Sequence, residues 1–367
     1  MKTVVIHVGT HKTGTTALQL FFSRNSDRLR EHDIHYVSAG RGGWHLEAHH
    51  ALAVALREGQ SRVPAQVVKE VKSSTCSKIL LSSEMFMEFE APRTLQALFS
   101  DCRVQIVMYV RRQDLRALSV YNYAVKIFVA RFPGVVQDYY LCKRYLRWLD
   151  YHLQLERYAV VFGRENVLAR VCEQGDDGSS IYHDFLDVLE APWSSEYDLA
   201  TDDETNRSLS LPCLEFKRLC NKAVMTNEED SRLAAALGSF HMVDTECAGQ
   251  SLLSPAERIA IVERYDESNR LVAEDYLDRD ELFAQPLPGL DAKWKPFAGL
   301  QHRDLERVTS QLVEKGGYTQ AEVTNLVQRM TCAASSDDWQ RAPANVLGQQ
   351  NPWFHPQTKA VPTSKVR

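Results

Sequence analysis

A short loop near the start of the chain carries the residue types needed to hold an anion. In the stretch VVIHVGTHKTGTTALQLFF, Gly9 and Gly14 enclose four residues that include Lys12. Backbone N–H groups of a glycine loop that runs into a helix form an anion cradle, and a lysine adds positive charge. We therefore expect this loop to bind a phosphate-like group. The residues expected to contact that group are His11, Lys12, Thr13, Gly14, Thr15 and Thr16.

The position of the lysine favours a particular chemistry. In the P-loop of nucleotide triphosphatases, G-x-x-x-x-G-K-[ST], the lysine follows the second glycine, whereas here Thr15 follows Gly14 and Lys12 lies between the glycines. A Mg²⁺-dependent nucleotidase would also have an Asp at the end of a neighbouring strand to hold the metal. The next two apolar runs end instead in Ser-Ser-Glu and Arg-Arg. A metal-free transfer of an anionic group fits better, with Lys12 neutralising charge on the bridging and leaving oxygens.

The elements that must position these groups alternate between strands and helices. Apolar runs at 4–8, 79–81 and 104–110 predict buried strands, and helical spacing follows at 114–129 and 139–157. This alternation predicts an α/β fold, a P-loop-like three-layer sandwich with a central parallel sheet.

Polar residues at the ends of the predicted strands should share one edge of the sheet. Ligands of parallel sheets bind beyond the carboxyl ends of the strands, and Glu84, Arg111 and Arg112 all follow such ends. A carboxylate that faces an anion loop can take the proton from an acceptor hydroxyl, so we predict that Glu84 is a general base. The alternative is a solvated or salt-bridged glutamate.

Other polar residues have less specific signals. The stretch GWHLEAHHALAVAL contains His45, His49 and His50, of which the first two could share a helix face. They are candidates for acceptor binding or for a second base, although ordinary surface histidines fit the same pattern, and a zinc site would need a third ligand. Arg207 is either an anion clamp or part of a loop salt bridge.

The second half of the chain changes to helical patterns. The sequence SPAE at 254–257 is a capping box with proline at the first helical position. We expect a main domain at 1–285 and a partly helical C-terminal extension at 286–367 with a poorly ordered tail. The helices predicted here are 180–189, 211–223, 229–240, 255–277, 305–315 and 320–330.

The composition is typical of a globular protein with a local anion site. The 367 residues are 44% hydrophobic and carry a formal net charge of −5, so the chain can bury a full core and is unlike a nucleic-acid binder with a basic stripe. No run reaches the roughly 18 apolar residues of a spanning helix, and the first apolar run is too short for a signal peptide. The eight cysteines are far apart without a C-x-x-C pair. We therefore expect reduced thiols and a soluble cytoplasmic protein.

Two motifs together resemble the donor-binding motifs of the sulfotransferase superfamily. THKTGTTALQ is similar to the 5′-phosphosulfate loop of these enzymes. YVRRQDLRALSVYNYAVK is similar to their 3′-phosphate motif, an Arg at a strand end followed eight residues later by a Ser, here Arg111 and Ser119. Weaker similarity in LLSSEMF, ETNRSLS and SPAERIAIVERYDESNRLVAEDYL extends the resemblance over roughly residues 1–285, towards bacterial sulfotransferases that act on carbohydrate.

The resemblance implies a co-substrate and a role for each site residue. These enzymes transfer a sulfuryl group from 3′-phosphoadenosine 5′-phosphosulfate (PAPS) to a hydroxyl or amine, without a metal. It implies that Lys12 stabilises the transferring group and that 14–16 cradle the 5′-phosphate. It also implies that Arg111 and Ser119 bind the 3′-phosphate. Glu84 would match the glutamate that serves as base in sugar-sulfating relatives, while the histidine motif of the small-molecule branch is not found.

The sequence thus predicts a PAPS-dependent sulfotransferase with a carbohydrate or other hydroxyl-bearing acceptor and a helical second half that covers the cleft. We expect no nucleic acid, membrane span or metal, and no oligomeric state is indicated. One alternative is a nucleotide kinase with an aberrant loop, which the missing lysine and the missing strand-end Asp disfavour. Another is a nucleotide-binding or scaffolding protein without catalytic activity, which burial of Glu84 away from Lys12 would favour.

Overall fold

The structure is a computed structural model that describes residues 1–43, 46–88, 90–141, 143–173, 181–201, 208–240, 247 and 249–335. The strands in these ranges are β1 Thr3–Gly9, β2 Ile34–Tyr36, β3 Lys78–Ser82, β4 Arg103–Val110, β5 Val167–Val171, β6 Gln250–Ser251 and β7 Lys295–Pro296. The first eight α-helices are α1 Thr15–Arg24, α2 Ser26–Glu31, α3 His50–Arg57, α4 Arg62–Ser73, α5 Ala91–Leu98, α6 Gln113–Lys126, α7 Val136–Tyr140 and α8 Lys143–Trp148. The next eight are α9 Tyr151–Phe162, α10 Ile181–Leu189, α11 Leu211–Cys220, α12 Asn227–Gly238, α13 Pro255–Glu263, α14 Asp266–Leu277, α15 His302–Glu314 and α16 Gln320–Ser335. Short 3₁₀ helices lie at Glu84–Glu88 and Arg164–Asn166.

A parallel five-stranded sheet organises the N-terminal part of the chain. Its strand order is β2-β3-β1-β4-β5, with β1 hydrogen-bonded to β3 on one side and to β4 on the other. The predicted α/β fold with a central parallel sheet is confirmed. Because β3, β1 and β4 are neighbours and parallel, the residues that follow their carboxyl ends lie at the same edge of the sheet.

Alternate residues of β1 face opposite sides of this sheet. Val4, Ile6 and Val8 pack into an apolar cluster with α3, α4, α5, α9 and α14. Val5 points to the other side, where it belongs to a second cluster with Phe22 of α1 and with α10. Helices therefore cover both faces, which gives the predicted three layers.

Two segments predicted as continuous helices are broken. The segment at 139–157 is divided among α7, α8 and α9, and α9 begins after Asp150, whose Oδ1 accepts a hydrogen bond from Leu153 N at 3.1 Å. An N-cap residue has non-helical backbone angles, so the helix cannot run through it. The prediction of one helix was wrong because a hydrophobic pattern does not show where a cap interrupts it.

The second broken segment is 255–277, which forms α13 and α14. Its N-terminal capping box is confirmed, since Ser254 Oγ accepts from Glu257 N at 3.2 Å and Ser254 N donates to Glu257 Oε2 at 2.8 Å. The break at Tyr265 lets this side chain pack with Leu149 and donate its hydroxyl to Leu146 O at 2.9 Å. A tertiary contact therefore overrides local helix propensity here.

The described residues form two compact units, each assembled from separate stretches of chain. One unit comprises the described residues within Met1–Val120, Gln137–Arg207 and Leu252–Trp294, and it contains the five-stranded sheet. The other comprises those within Tyr121–Val136, Ser208–Ser251 and Lys295–Arg367. In this second unit the buried Lys217 and Asp230 form an ion pair at 2.8 Å between α11 and α12.

Across the described ranges, we find no helix with the length and apolar character needed to cross a membrane.

Candidate functional site

The loop between β1 and α1 has the backbone conformation of an anion-binding nest. Gly9, Lys12 and Gly14 have φ angles of 93°, 68° and 82°, and such left-handed residues turn successive N–H groups towards one point. Leu18 N makes the first helical bond of α1, to Gly14 O at 3.1 Å, so the N–H groups of the preceding turn point out of the helix end. A positive φ at a non-glycine residue such as Lys12 is strained, and such strain is common at ligand-binding loops.

Three carbonyl groups of the loop are held by donors. Thr10 O accepts from Thr13 Oγ1 at 2.6 Å, His11 O accepts from Arg116 Nε at 3.4 Å, and Lys12 O accepts from Arg111 Nη1 at 3.3 Å. These bonds fix the carbonyl oxygens, whose negative ends would otherwise repel an anion, and the loop is therefore organised before a ligand binds. Sequence reasoning missed Arg116, which is buried on α6.

Glu84 lies directly against the end of β1. A Cβ atom placed on Gly9 would be 2.8 Å from Glu84 Cβ and 3.2 Å from Glu84 Cα. Only glycine permits this approach, and the positive φ at Gly9 favours glycine for a second reason. The glycine that begins the loop thus also brings the carboxylate next to it.

We expect Gly9→Ala to destabilise the protein more than Gly59→Ala does. Gly59 also has a positive φ, 69°, but a Cβ there would meet nothing within 4 Å. The Gly59 variant therefore carries backbone strain alone, and Gly9→Ala adds overpacking against Glu84 that costs roughly 1–3 kcal/mol. Urea unfolding of both variants measures this difference, and equal free energies of unfolding would contradict the close packing of Gly9 on Glu84.

The Glu84 carboxylate is buried, with 8% of the residue exposed. Gln19 Nε2 donates to its Oε2 at 3.0 Å, while Oε1 lies 3.8 Å from His11 Nδ1 and 3.9 Å from His50 Nε2. Burial alone would raise the pKa of the Glu84 carboxyl, but the charges of the two histidines and the hydrogen bond from Gln19 outweigh it and lower the pKa to about 2. Sequence reasoning missed Gln19, whose only signal is its place one turn after Thr15 on α1.

Neither His49 nor His50 is a surface residue, so the interpretation of these two as ordinary surface histidines of a helix was wrong. His49 is buried, with Nδ1 accepting from Ser82 N at 3.1 Å and Nε2 lying 2.9 Å from Val37 O. Both ring nitrogens therefore join backbone segments, and burial lowers the pKa of His49 to about 3. His50 is buried as well, with Nδ1 2.8 Å from Ser83 Oγ. His45 lies outside the described residues.

The two arginines after β4 have different surroundings. Arg111 reaches the loop through Lys12 O. Arg112 is buried in an ion pair with Asp114, with Nε 2.8 Å from Oδ1, and its Nη1 donates to Gln285 O at 2.8 Å, so it has a structural role. Ser119 lies in α6 and is partly buried. Arg207 lies outside the described residues.

One group of possible metal ligands exists among the residues that the structure describes. The ligand atoms of His152, Glu156 and Asp275 lie within 4.8 Å of one another. Arg164 places Nη2 2.9 Å from Glu156 Oε1 and Nη1 2.9 Å from Asp275 Oδ1. Its guanidinium already supplies the positive charge between the carboxylates, which makes this group an ion-pair network.

Comparisons with known proteins give limited similarity. No family model matches the chain. An uncharacterized protein of Archaeoglobus fulgidus is 26% identical over 212 residues, 56% of this chain and 55% of that protein, so the chain spans about half the length of this relative. Among solved structures, the chain is similar to a sulfotransferase from Alicyclobacillus acidocaldarius, with a TM-score of 0.34 and 18% identity over 64% of this chain and 94% of that chain. The geometry of the loop and of Glu84 therefore has to carry an assignment of function.

Proposed function

We propose that the protein is a PAPS-dependent sulfotransferase that acts on a hydroxyl of a carbohydrate acceptor. The observation that supports this most is the arrangement at one edge of the sheet. There the anion loop that contains Lys12 packs through Gly9 on the Cβ and Cα of Glu84, and Arg111 donates a hydrogen bond to Lys12 O. An anion cradle, a cation inside it and a group that can manage a proton are the parts that sulfuryl transfer requires.

Each part has a proposed role in the reaction. The N–H groups at 14–16 bind the 5′-phosphate of the donor, and Lys12 neutralises charge on the bridging oxygen as it becomes part of the leaving phosphate. The acceptor oxygen forms a bond to sulfur while the bond from sulfur to the bridging oxygen breaks, and the electron pair stays on the phosphate. The acceptor proton leaves through the cluster around Glu84.

The kinase alternative is disfavoured by what surrounds the strand ends. A Mg²⁺ site would need carboxylate oxygens that face the phosphates. One Glu84 oxygen accepts from Gln19 and the other faces His11 and His50. Imidazoles beside a carboxylate suit proton transfer better than coordination of a hard cation.

We expect Arg111→Ala to remove most of the preference for adenosine 3′,5′-bisphosphate over AMP. A 3′-phosphate offers acceptor oxygens for charge-assisted bonds, each worth roughly 1.5–3 kcal/mol, so the affinity for the bisphosphate should fall about ten- to a hundredfold. AMP lacks the 3′-phosphate, and its affinity should change little. Calorimetric titration of both nucleotides measures the two effects.

The same titration separates two roles of Arg111, since its Nη1 also donates to Lys12 O. If the arginine only supports the loop, the affinities for AMP and for the bisphosphate will fall equally, and the assignment of the 3′-phosphate site is wrong. Arg93→Ala is the matched control, because Arg93 is exposed on α5. It should leave both affinities unchanged.

A further inference from the structure

Gln19 is a buried polar residue of α1 whose presence the apolar packing of the helix does not explain. Leu18, Phe21 and Phe22 of the same helix belong to an apolar cluster, and only 1% of Gln19 is exposed. A buried amide lowers the stability of a fold unless it is hydrogen-bonded. The hydrogen bonds of Gln19 therefore indicate what this side chain does.

The Gln19 amide connects Glu84 to the end of β3. Its Nε2 donates to Glu84 Oε2 at 3.0 Å and to Ser82 Oγ at 3.2 Å. Ser82 Oγ in turn lies 2.8 Å from Nδ1 of His7 on β1. An ionised carboxylate only accepts hydrogen bonds, so Nε2 rather than Oε1 of Gln19 must face Glu84. The amide that holds the carboxylate is thus itself fixed in orientation and held by a residue of the sheet.

The carbonyl end of the Gln19 amide adds nothing to the stability of the fold. Gln19 Oε1 is buried and has no hydrogen-bond partner among the residues that the structure describes. A buried acceptor without a partner destabilises a protein, and a methionine of similar length would fill the space without this loss. The stability of α1 therefore does not account for an amide at this position, whereas the placement of the Glu84 carboxylate does.

We infer that Gln19 is a positioning residue for Glu84. This inference rests on the proposed function, in which the acceptor proton leaves through the cluster around Glu84. The bond to Oε2 restricts rotation of the carboxylate and keeps Oε1 on the side of His11 and His50, 3.8 and 3.9 Å from their ring nitrogens. A displacement of about 1 Å at a reacting group can lower a rate roughly a hundredfold, so loss of this bond should lower kcat.

Gln19→Met should lower kcat for PAPS consumption by about ten- to a hundredfold, while the affinity for adenosine 3′,5′-bisphosphate changes only a few-fold. Methionine keeps the length of the side chain but removes the donor. PAPS consumption is followed with a mixture of neutral oligosaccharides as acceptors, and calorimetric titration measures the affinity for the bisphosphate. Ser82→Ala is a milder variant for the same assays, because it removes only the second bond of the Gln19 amide, and it should lower kcat several-fold.

Gln154→Met is the matched control. Gln154 is 5% exposed on α9, where its Nε2 donates to Arg147 O at 2.9 Å and its Oε1 accepts from Arg157 Nη1 at 2.7 Å. This variant also replaces a buried glutamine that makes two hydrogen bonds, so it measures the effect of lost stability alone. Its kcat should equal that of the parent.

A double-mutant cycle separates positioning of Glu84 from a purely structural role of Gln19. If Gln19 acts through the carboxylate, Gln19→Met should lower the kcat of Glu84→Gln by no more than about twofold, because the group that it positions is already absent. A structural role would give effects that multiply, and the double variant would then be about ten- to a hundredfold slower than Glu84→Gln. Multiplying effects would overturn the inference.

Failure of the inference and failure of the proposed function give different results. If the parent does not consume PAPS with these acceptors, the proposed function is wrong and the inference falls with it. If the parent turns over but Gln19→Met keeps the kcat of Gln154→Met, Gln19 does not position Glu84 while the proposed function stands. Ser82→Ala decides in the same way should Gln19→Met fail to fold.

Discussion

Lys12→Ala should lower turnover about a hundredfold while affinity for adenosine 3′,5′-bisphosphate changes only a few-fold. Lys12 lies between Gly9 and Gly14 of the anion loop. In the proposed reaction its positive charge stabilises the negative charge that develops on the bridging oxygen. Loss of one such electrostatic contact costs on the order of 3 kcal/mol in the transition state. An interaction that acts mainly on the transition state affects kcat more than binding.

Alanine is a suitable replacement because the backbone strain is kept. Residue 12 has a φ of 68°. Lysine and alanine both carry a Cβ, so the free-energy cost of this backbone conformation is similar in the parent and in Lys12→Ala. Lys69→Ala, at an exposed position of α4, is the matched control. Turnover of Lys12→Ala equal to that of Lys69→Ala would remove Lys12 from the mechanism.

Glu84→Gln should reduce turnover by roughly 10² or more while the bisphosphate still binds. The amide keeps the size of the side chain but removes the negative charge that faces His11 and His50. Steady-state assays of PAPS consumption measure the turnover, and calorimetric titration measures the affinity for adenosine 3′,5′-bisphosphate. Normal turnover would exclude a role for the carboxylate in proton removal, and Glu31→Gln at an exposed site of α2 serves as control.

Glu84→Gln should also change how the free energy of unfolding depends on pH. The pKa of Glu84 is lowered in the folded state, from an ordinary value of 4.5 to about 2. A lowered carboxyl pKa contributes stability that is present above the unfolded value and lost as pH falls towards the folded value. Between pH 4.5 and 2 the parent should therefore lose more free energy of unfolding than Glu84→Gln does.

The central strands could be predicted from the sequence because they are buried on both faces. Continuous apolar runs at 79–81 and 104–110 lie within β3 and β4, and their polar ends mark the edge where ligands bind. The strands β2 and β5 were not predicted. The first has only three residues, and the second, VLARV, includes a charged side chain, so neither gives a distinct signal.

The candidate site could be predicted only in part, because some of the residues that hold it in place come from distant segments of the chain. The anion loop could be predicted from its glycine and lysine motif, and Glu84 from its position after a predicted strand. Arg116 and Gln19 act through contacts to His11 O and Glu84 Oε2 that no local pattern encodes. The burial of His50 beside Glu84 likewise depends on how α3 packs in the fold.

Binding of the donor product without metal is the most direct test of the account. Calorimetric titration of the parent protein in EDTA should show adenosine 3′,5′-bisphosphate binding much more tightly than AMP or ATP, because only the bisphosphate has a 3′-phosphate for Arg111. Addition of Mg²⁺ should not change that order. Equal affinities for AMP and the bisphosphate, or a preference for ATP that requires Mg²⁺, would contradict sulfuryl transfer and favour the kinase.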